Sequence, residues 1–223
     1  MTTAERAAQT RRAKRAALQI TLVALPVSMY GLYTWLEMIL LPTVAYFVGF
    51  LVYWVGWCLL LPLWVLGRQQ LLDLFRGWRP QPGRTGWLGL LLLLVPPVAG
   101  FSTIGLRVFP GATPLLLVVS ALLALVNATC EELLWRGAYA AVFPDSLWFG
   151  YILPAVGFGV WHLAPQVIFA NQMPGGSLSL AGSAVILGLI WGWVTWRSGS
   201  IRWTTLSHIL MDFSGLGGRI YLG

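Results

Sequence analysis

Two adjacent glutamates, Glu131 and Glu132, stand in the apolar stretch NATCEELLWRGAYAAVF, and Arg136 follows Glu132 at the i+4 position. Further along, His162 closes the run FGVWH, and Asp212 follows His208 in HILMD. These groups include both histidines of the chain and three of its seven carboxylates. A charged side chain at the centre of a membrane helix costs about 2.5–3.5 kcal/mol on insertion scales, so ionisable residues there are functional by default. A carboxylate beside a histidine with limited water is acid–base machinery. Glu131 can take a proton from water, and His162 can orient that water or hand a proton to a leaving amine. His208, as a donor, can stabilise the oxyanion of a tetrahedral intermediate.

Helical spacing sorts these roles. Glu132 and Arg136 share one face in the favourable Glu-first order and can neutralise each other. Glu131 points roughly 100° away around the helix, which is expected to leave it without that partner and free to work. His208 and Asp212 share a face one turn apart. At 1.5 Å per residue, Glu131 and His162 reach the same depth to within roughly 5 Å on antiparallel helices. His208 lies about 9 Å inward from Arg202, and Glu131 about 8 Å inward from Arg136. Glu131, His162, His208 and Asp212 are therefore expected to meet in one cavity, opening to the cytoplasm.

The elements that must position them are membrane helices. Of 223 residues, 58% are hydrophobic and 9% charged, with a mean hydropathy of +0.76; a soluble domain carries roughly 25% charged residues. Runs such as LGLLLLLVPPVAG do not alternate, which argues against a β-barrel. The expected fold is all-α, a polytopic transmembrane helical bundle of about seven spans. The spans fall near 17–35, 39–66, 87–106, 114–143, 147–163, 178–196 and 203 onward, the second tilted or kinked at Pro62. A basic cytoplasmic tail occupies 1–16, N-terminal membrane helices 17–112, and an amphipathic interfacial segment the region near 68–78. The first apolar run is read as a retained helix, since no small-x-small cleavage site closes it. Cys58 and Cys130 lie in apolar runs and are expected as buried free thiols.

The +7 net charge does not point to nucleic acid. Eleven of the fourteen basic residues fall in the N-terminal tail, in the loop at 67–85 and in the turn at 197–202. That is the positive-inside bias. It predicts an integral protein of the cell (inner) membrane, multi-pass, with a cytoplasmic N-terminus and the lipid bilayer as its environment. Gly188 and Gly192 form a GxxxG, which predicts close helix packing.

EELLWR (Glu131–Arg136), FGVWH (Phe158–His162) and HILMD (His208–Asp212) resemble, in order, the EExxxR, FxxxH and HxxxN/B motifs of the CAAX protease and bacteriocin-processing family of intramembrane glutamic endopeptidases. The resemblance covers about residues 113–213 and marks 113–223 as a catalytic membrane core. It implies that Glu131 activates water with His162 as its partner, that His208 stabilises the oxyanion, and that Glu132, Arg136 and Phe158 support them. It implies no cofactor and no metal. Asp212 stands where the prenyl-protein members carry Asn, and an ionised Asp cannot donate to an oxyanion. The implied partner is a peptide or protein substrate, lipid-anchored or with a C-terminal membrane tail. Basic residues are thirteen Arg to one Lys, which suggests a bacterial source and weighs against a prenylated substrate.

Two other readings use the same residues. His162, His208 and a carboxylate are a known catalytic zinc set, although no HExxH is present. A carboxylate–histidine chain also serves proton-coupled transporters, although the sequence lacks the paired broken helices and repeat symmetry of many of them. Cleavage activity is expected to survive a strong chelator, with purified protein carrying no stoichiometric zinc. Metal analysis giving one zinc per active chain would favour the zinc reading.

Overall fold

A computed structural model describes residues 2–76, 86–170 and 174–222. The described residues form helices and connecting turns, with no strand among them. Among the described residues, five helices are long and apolar enough to cross a bilayer: α1 (Thr3–Ile39), α2 (Pro42–Leu66), α4 (Gly86–Gly111), α5 (Pro114–Val142) and α7 (Gly176–Ser198). Between α2 and α4 lies the short α3 (Arg68–Asp73). Two shorter helices complete the bundle: α6 (Leu153–Trp161), entered through a π-helical turn at Trp148–Ile152, and the 13-residue α8 (Arg202–Ser214). A final turn, α9 (Arg219–Leu222), ends the description. The architecture is the expected all-α polytopic bundle.

Several expectations are corrected in detail. The first helix starts at Thr3, not near residue 17, because Thr2 and Glu5 form a capping box and the Ala/Arg-rich tail is a good helix former. The expected spans at 147–163 and 203 onward are short. A 13-residue helix is about 20 Å long, less than the ~30 Å apolar core of a bilayer. Such helices are tolerated where surrounding protein shields their ends: α8 packs against α4 and α5, and α6 against α7. The segment after α2, expected as an amphipathic interfacial one, turns its leucines onto the bundle. Leu71 and Leu74 are buried against Leu133 and Ile201, and Ile201 N and Ser200 Oγ both donate to Leu74 O, at 3.0 and 2.9 Å. Trp78, Arg79 and Arg84 lie outside the described residues.

Proline and glycine set the local geometry. Pro62 has no N–H and its ring crowds the preceding turn; α2 is π-helical at Tyr53–Leu60, just before it. A π-turn widens the helix and re-aims its side chains, and this one begins at Tyr53. A second π-helical stretch, Leu133–Ala138, follows Glu132 directly. The GxxxG in α7 is a packing device. A Cβ at Gly188 would stand 3.1 Å from Ala155 Cα, and one at Gly192 3.1 Å from the Tyr151 ring. Gly159 of α6 likewise lies on Ala181 and Val185.

Gly188→Leu is expected to push α6 away from α7 and to destabilise the protein by about 1–3 kcal/mol, the usual cost of overpacking. Thermal unfolding in detergent would read this as a lowered Tm; an unchanged Tm would mean that the two helices do not meet at Gly188.

Candidate active site

α5 presents Glu131 and Glu132 to the interior, 1% and 0% exposed. Being neighbours on a helix, they point in different directions, and each meets its own set of partners. Glu131 Oε1 accepts from Tyr53 Oη and Trp161 Nε1, both at 3.0 Å. Its Oε2 accepts from Asn127 Nδ2 at 3.1 Å and lies 3.4 Å from His208 Nε2. Glu131 is thus clear of Arg136, as expected, but it is not free of other partners. It avoids Arg136, as the spacing requires, but burial of a carboxylate demands hydrogen bonds, and aromatic donors supply them.

Glu132 pairs with Arg136 as expected, at 3.3 Å from Oε1 to Nη1. The same oxygen receives His208 Nδ1 at 3.0 Å. The guanidinium also lies over the Phe158 ring at 3.9 Å and near Trp191 at 5.2 Å. Arg136 is 2% exposed and Phe158 1%, so in this dry setting the ring faces contribute to holding the cation.

His208 is the centre of the cluster. Nδ1 faces Glu132, and Nε2 faces Glu131 and, at 3.5 Å, Asp212 Oδ1. The ring is stacked on Trp191 at 4.0 Å. Trp191 is anchored in turn through Ser207 Oγ, which donates to Leu93 O of α4 at 2.6 Å. Both nitrogens of His208 are thus taken by carboxylates. Asp212, one turn on, accepts from Asn127 Nδ2 at 2.9 Å through Oδ2.

His162 sits apart from this cluster. Its Nδ1 is 2.7 Å from Phe158 O. A carbonyl only accepts, so Nδ1 carries a hydrogen, and in the neutral ring Nε2 then keeps the lone pair. The histidine in contact with Glu131 is His208. His162 instead lines a cavity of about 510 Å3 together with Asn127 and Asp212.

That cavity corrects another expectation. Its lining includes Tyr46 and Phe50 near the start of α2, Ser120 in the first half of α5, and Gly217 and Tyr221 beyond α8. All lie toward the end of the bundle opposite the arginine-rich tail. The opening expected on the basic side is filled by α3 and by the turn at 198–201. The axial counts along single helices could not register a separate segment folding across that end.

Asn127, Tyr53, Trp54 and Trp161 are site residues that the motifs did not single out. Asn127 joins Glu131 to Asp212, and its Oδ1 accepts from Trp54 Nε1 at 2.8 Å. A signal for it existed: a polar residue one turn before Glu131 on the same face. Tyr53 and Trp54 carried none, since they come from α2 across more than seventy residues of chain. Tyr53 is stacked on Trp161 at 3.7 Å and receives Trp135 Nε1 at 2.7 Å.

Removing one member of the Glu132–Arg136 pair leaves a buried charge without its partner, which costs about 3–5 kcal/mol. Glu132→Ala and Arg136→Ala are each expected to lower Tm and yield as well as activity. A Glu132→Ala protein with wild-type Tm would show that the pair carries no structural role.

Residues 113–214 match the family model described as type II CAAX prenyl endopeptidase Rce1-like. No curated protein and no solved structure matches the chain. The matched stretch, 102 of the 223 residues, contains Glu131, Glu132, Arg136, Phe158, His162, His208 and Asp212, and over it this membrane-embedded chain is similar to the type II CAAX prenyl endopeptidases, a likeness that marks it as a peptidase.

Proposed function

We propose that the chain is a glutamic-type intramembrane endopeptidase with Glu131 as general base, hydrolysing a peptide bond close to the membrane in a small protein or C-terminal tail. The observation that carries this reading is the setting of Glu131. It is a buried carboxylate fixed through both oxygens, one residue layer behind a cavity lined by Asn127, His162 and Asp212.

In this mechanism a water entering from the cavity lies between Glu131 and the lone pair of His162 Nε2. Glu131 takes one proton as the water oxygen attacks the scissile carbonyl carbon. The tetrahedral intermediate then breaks its C–N bond, and the proton held by Glu131 passes to the departing nitrogen, directly or through His162. His208, with both nitrogens on carboxylates, acts as the positioning group for Glu131 in place of an oxyanion donor. Asp212 and Asn127 close the ring of hydrogen bonds around it.

The basic bias of one end supports a multi-pass protein of the cell membrane with its N-terminus in the cytoplasm. The substrate is a membrane-associated peptide or protein, lipid-anchored or carrying a C-terminal membrane tail.

Glu131→Gln keeps the size of the side chain but cannot take the proton. Cleavage of a membrane-tethered peptide reporter is expected to fall by about 10²–10⁴-fold, the usual contribution of a general base, with a lowered Tm as well, because the new amide turns a donor toward donors that the carboxylate satisfied. Turnover retained at more than a few per cent would sink the base assignment. His162→Ala is expected to be similarly damaging, and the double variant little worse than either, because groups acting in one step are not additive. If the two losses multiplied, the residues would belong to separate steps.

A further inference from the structure

The two ends of the bundle differ in charge and in access. At the basic end, Arg15 Nη2 donates to Val142 O at 3.2 Å, and Trp196 Nε1 donates to Pro144 O at 2.8 Å. Leu71, Leu74, Leu133 and Ile201 are buried together there. Trp135 and Arg136, each 2% exposed, fill the next layer toward Glu131. The described residues at this end thus form a packed plug. At the other end the helices stay apart around the 510 Å3 cavity. Its rim is aromatic: Tyr46 meets Phe169 at 5.2 Å and Tyr221 at 6.5 Å. Among the described residues, the ionisable groups in its wall other than tyrosines are His162 and Asp212, at its inner end.

We propose that this aromatic-rimmed cavity is the substrate cleft and that it opens to the non-cytoplasmic face, so that the enzyme takes a short apolar segment of an exported protein. The proposal rests on the peptidase reading above and adds to it the side of attack and the class of substrate. Its size is that of a site for a drug-sized ligand, which suits a few residues of unwound chain. Apolar side chains suit the aromatic walls, and the scissile carbonyl would lie at the inner end, where Asn127, His162 and Asp212 converge in front of Glu131. A cytoplasmic substrate would have to displace α3 and the Leu74–Ile201 contact to reach the same carboxylate.

Sidedness is read by thiol labelling, independently of activity. Gly217 lines the cavity, and a Cβ there meets nothing within 4 Å, so Gly217→Cys fits the fold. Gln70→Cys reports the basic end, where Gln70 is exposed. Wild-type protein gives the background from Cys58 and Cys130. In intact bacterial cells a membrane-impermeant maleimide is expected to label Gly217→Cys well above background and Gln70→Cys only after permeabilisation; inverted membrane vesicles should reverse the pattern. Labelling of Gln70→Cys but not Gly217→Cys in intact cells would overturn the proposal. So would equal labelling of both, or a Gly217→Cys thiol unreactive from either side. As a second arm, a quenched mixed-sequence peptide pool is added to spheroplasts and to inverted vesicles, with Glu131→Gln as blank. Cleavage at least about tenfold faster in spheroplasts, a difference of about 1.4 kcal/mol, is expected; faster cleavage in inverted vesicles would overturn the proposal. Cleavage from neither side would count against the peptidase reading, while labelling would still decide which face the cavity meets.

Discussion

The imidazole of His208 lies between two neighbouring carboxylates, Nδ1 at 3.0 Å from Glu132 and Nε2 at 3.4 Å from Glu131. Adjacent residues on a helix point roughly 100° apart, so a group touching both must carry two well-separated polar atoms on a rigid frame. An imidazole does. Everything near it follows from holding that ring in place. Helix α8 must run beside α5 at the right height, and Gly100 of α4 permits this by leaving room for Met211 and Ser214. Trp191 stacks on the ring and is tied through Ser207 to α4. Helix α7 must then approach closely, which the small residues of the α6–α7 contact allow.

Burying carboxylates in an apolar bundle is costly unless each is satisfied. This chain meets the requirement largely with aromatic donors. Tyr53, Trp54, Trp135 and Trp161 each offer one polar hydrogen on a large apolar body, so they can hydrogen-bond the centre without adding water or charge to the core. Glu132 differs. It meets Arg136 and His208 through one oxygen, while Oε2 has no hydrogen-bond partner among the described residues. The guanidinium finds further contacts in the faces of Phe158 and Trp191. The two glutamates thus occupy unlike environments: Glu131 is ringed by hydrogen-bond donors beside the cavity, and Glu132 is locked among cation, imidazole and rings.

The same asymmetry runs along the axis of the bundle. Apolar side chains from α3 and the turn before α8 close the arginine-rich end, and aromatic residues frame a cavity at the other. Because α6 and α8 are short, their ends near His162 and Ser214 stop inside the protein. The irregular chain beyond them forms part of the cavity wall, as backbone at membrane depth can do only where protein or an aqueous space satisfies it.

The helical class of the fold and the seven motif residues were legible in the sequence, because they depend on local quantities. Apolar run length reports a span, i to i+4 spacing reports a shared face, and an ionisable residue in an apolar run is conspicuous whatever surrounds it. The Glu132–Arg136 pair and the packing role of Gly188 and Gly192 needed nothing more. Tertiary structure decided what depends on which helices are neighbours. It decided that Glu131 is hydrogen-bonded from α2, that His208 touches Glu131 while His162 faces the cavity, and that Asn127 links Glu131 to Asp212. It also decided the direction of the opening, because α3 folds back over the basic end. Contacts between residues more than seventy positions apart leave no periodic trace in the chain, so a tyrosine that holds a carboxylate reads in sequence like any other aromatic residue of a membrane helix.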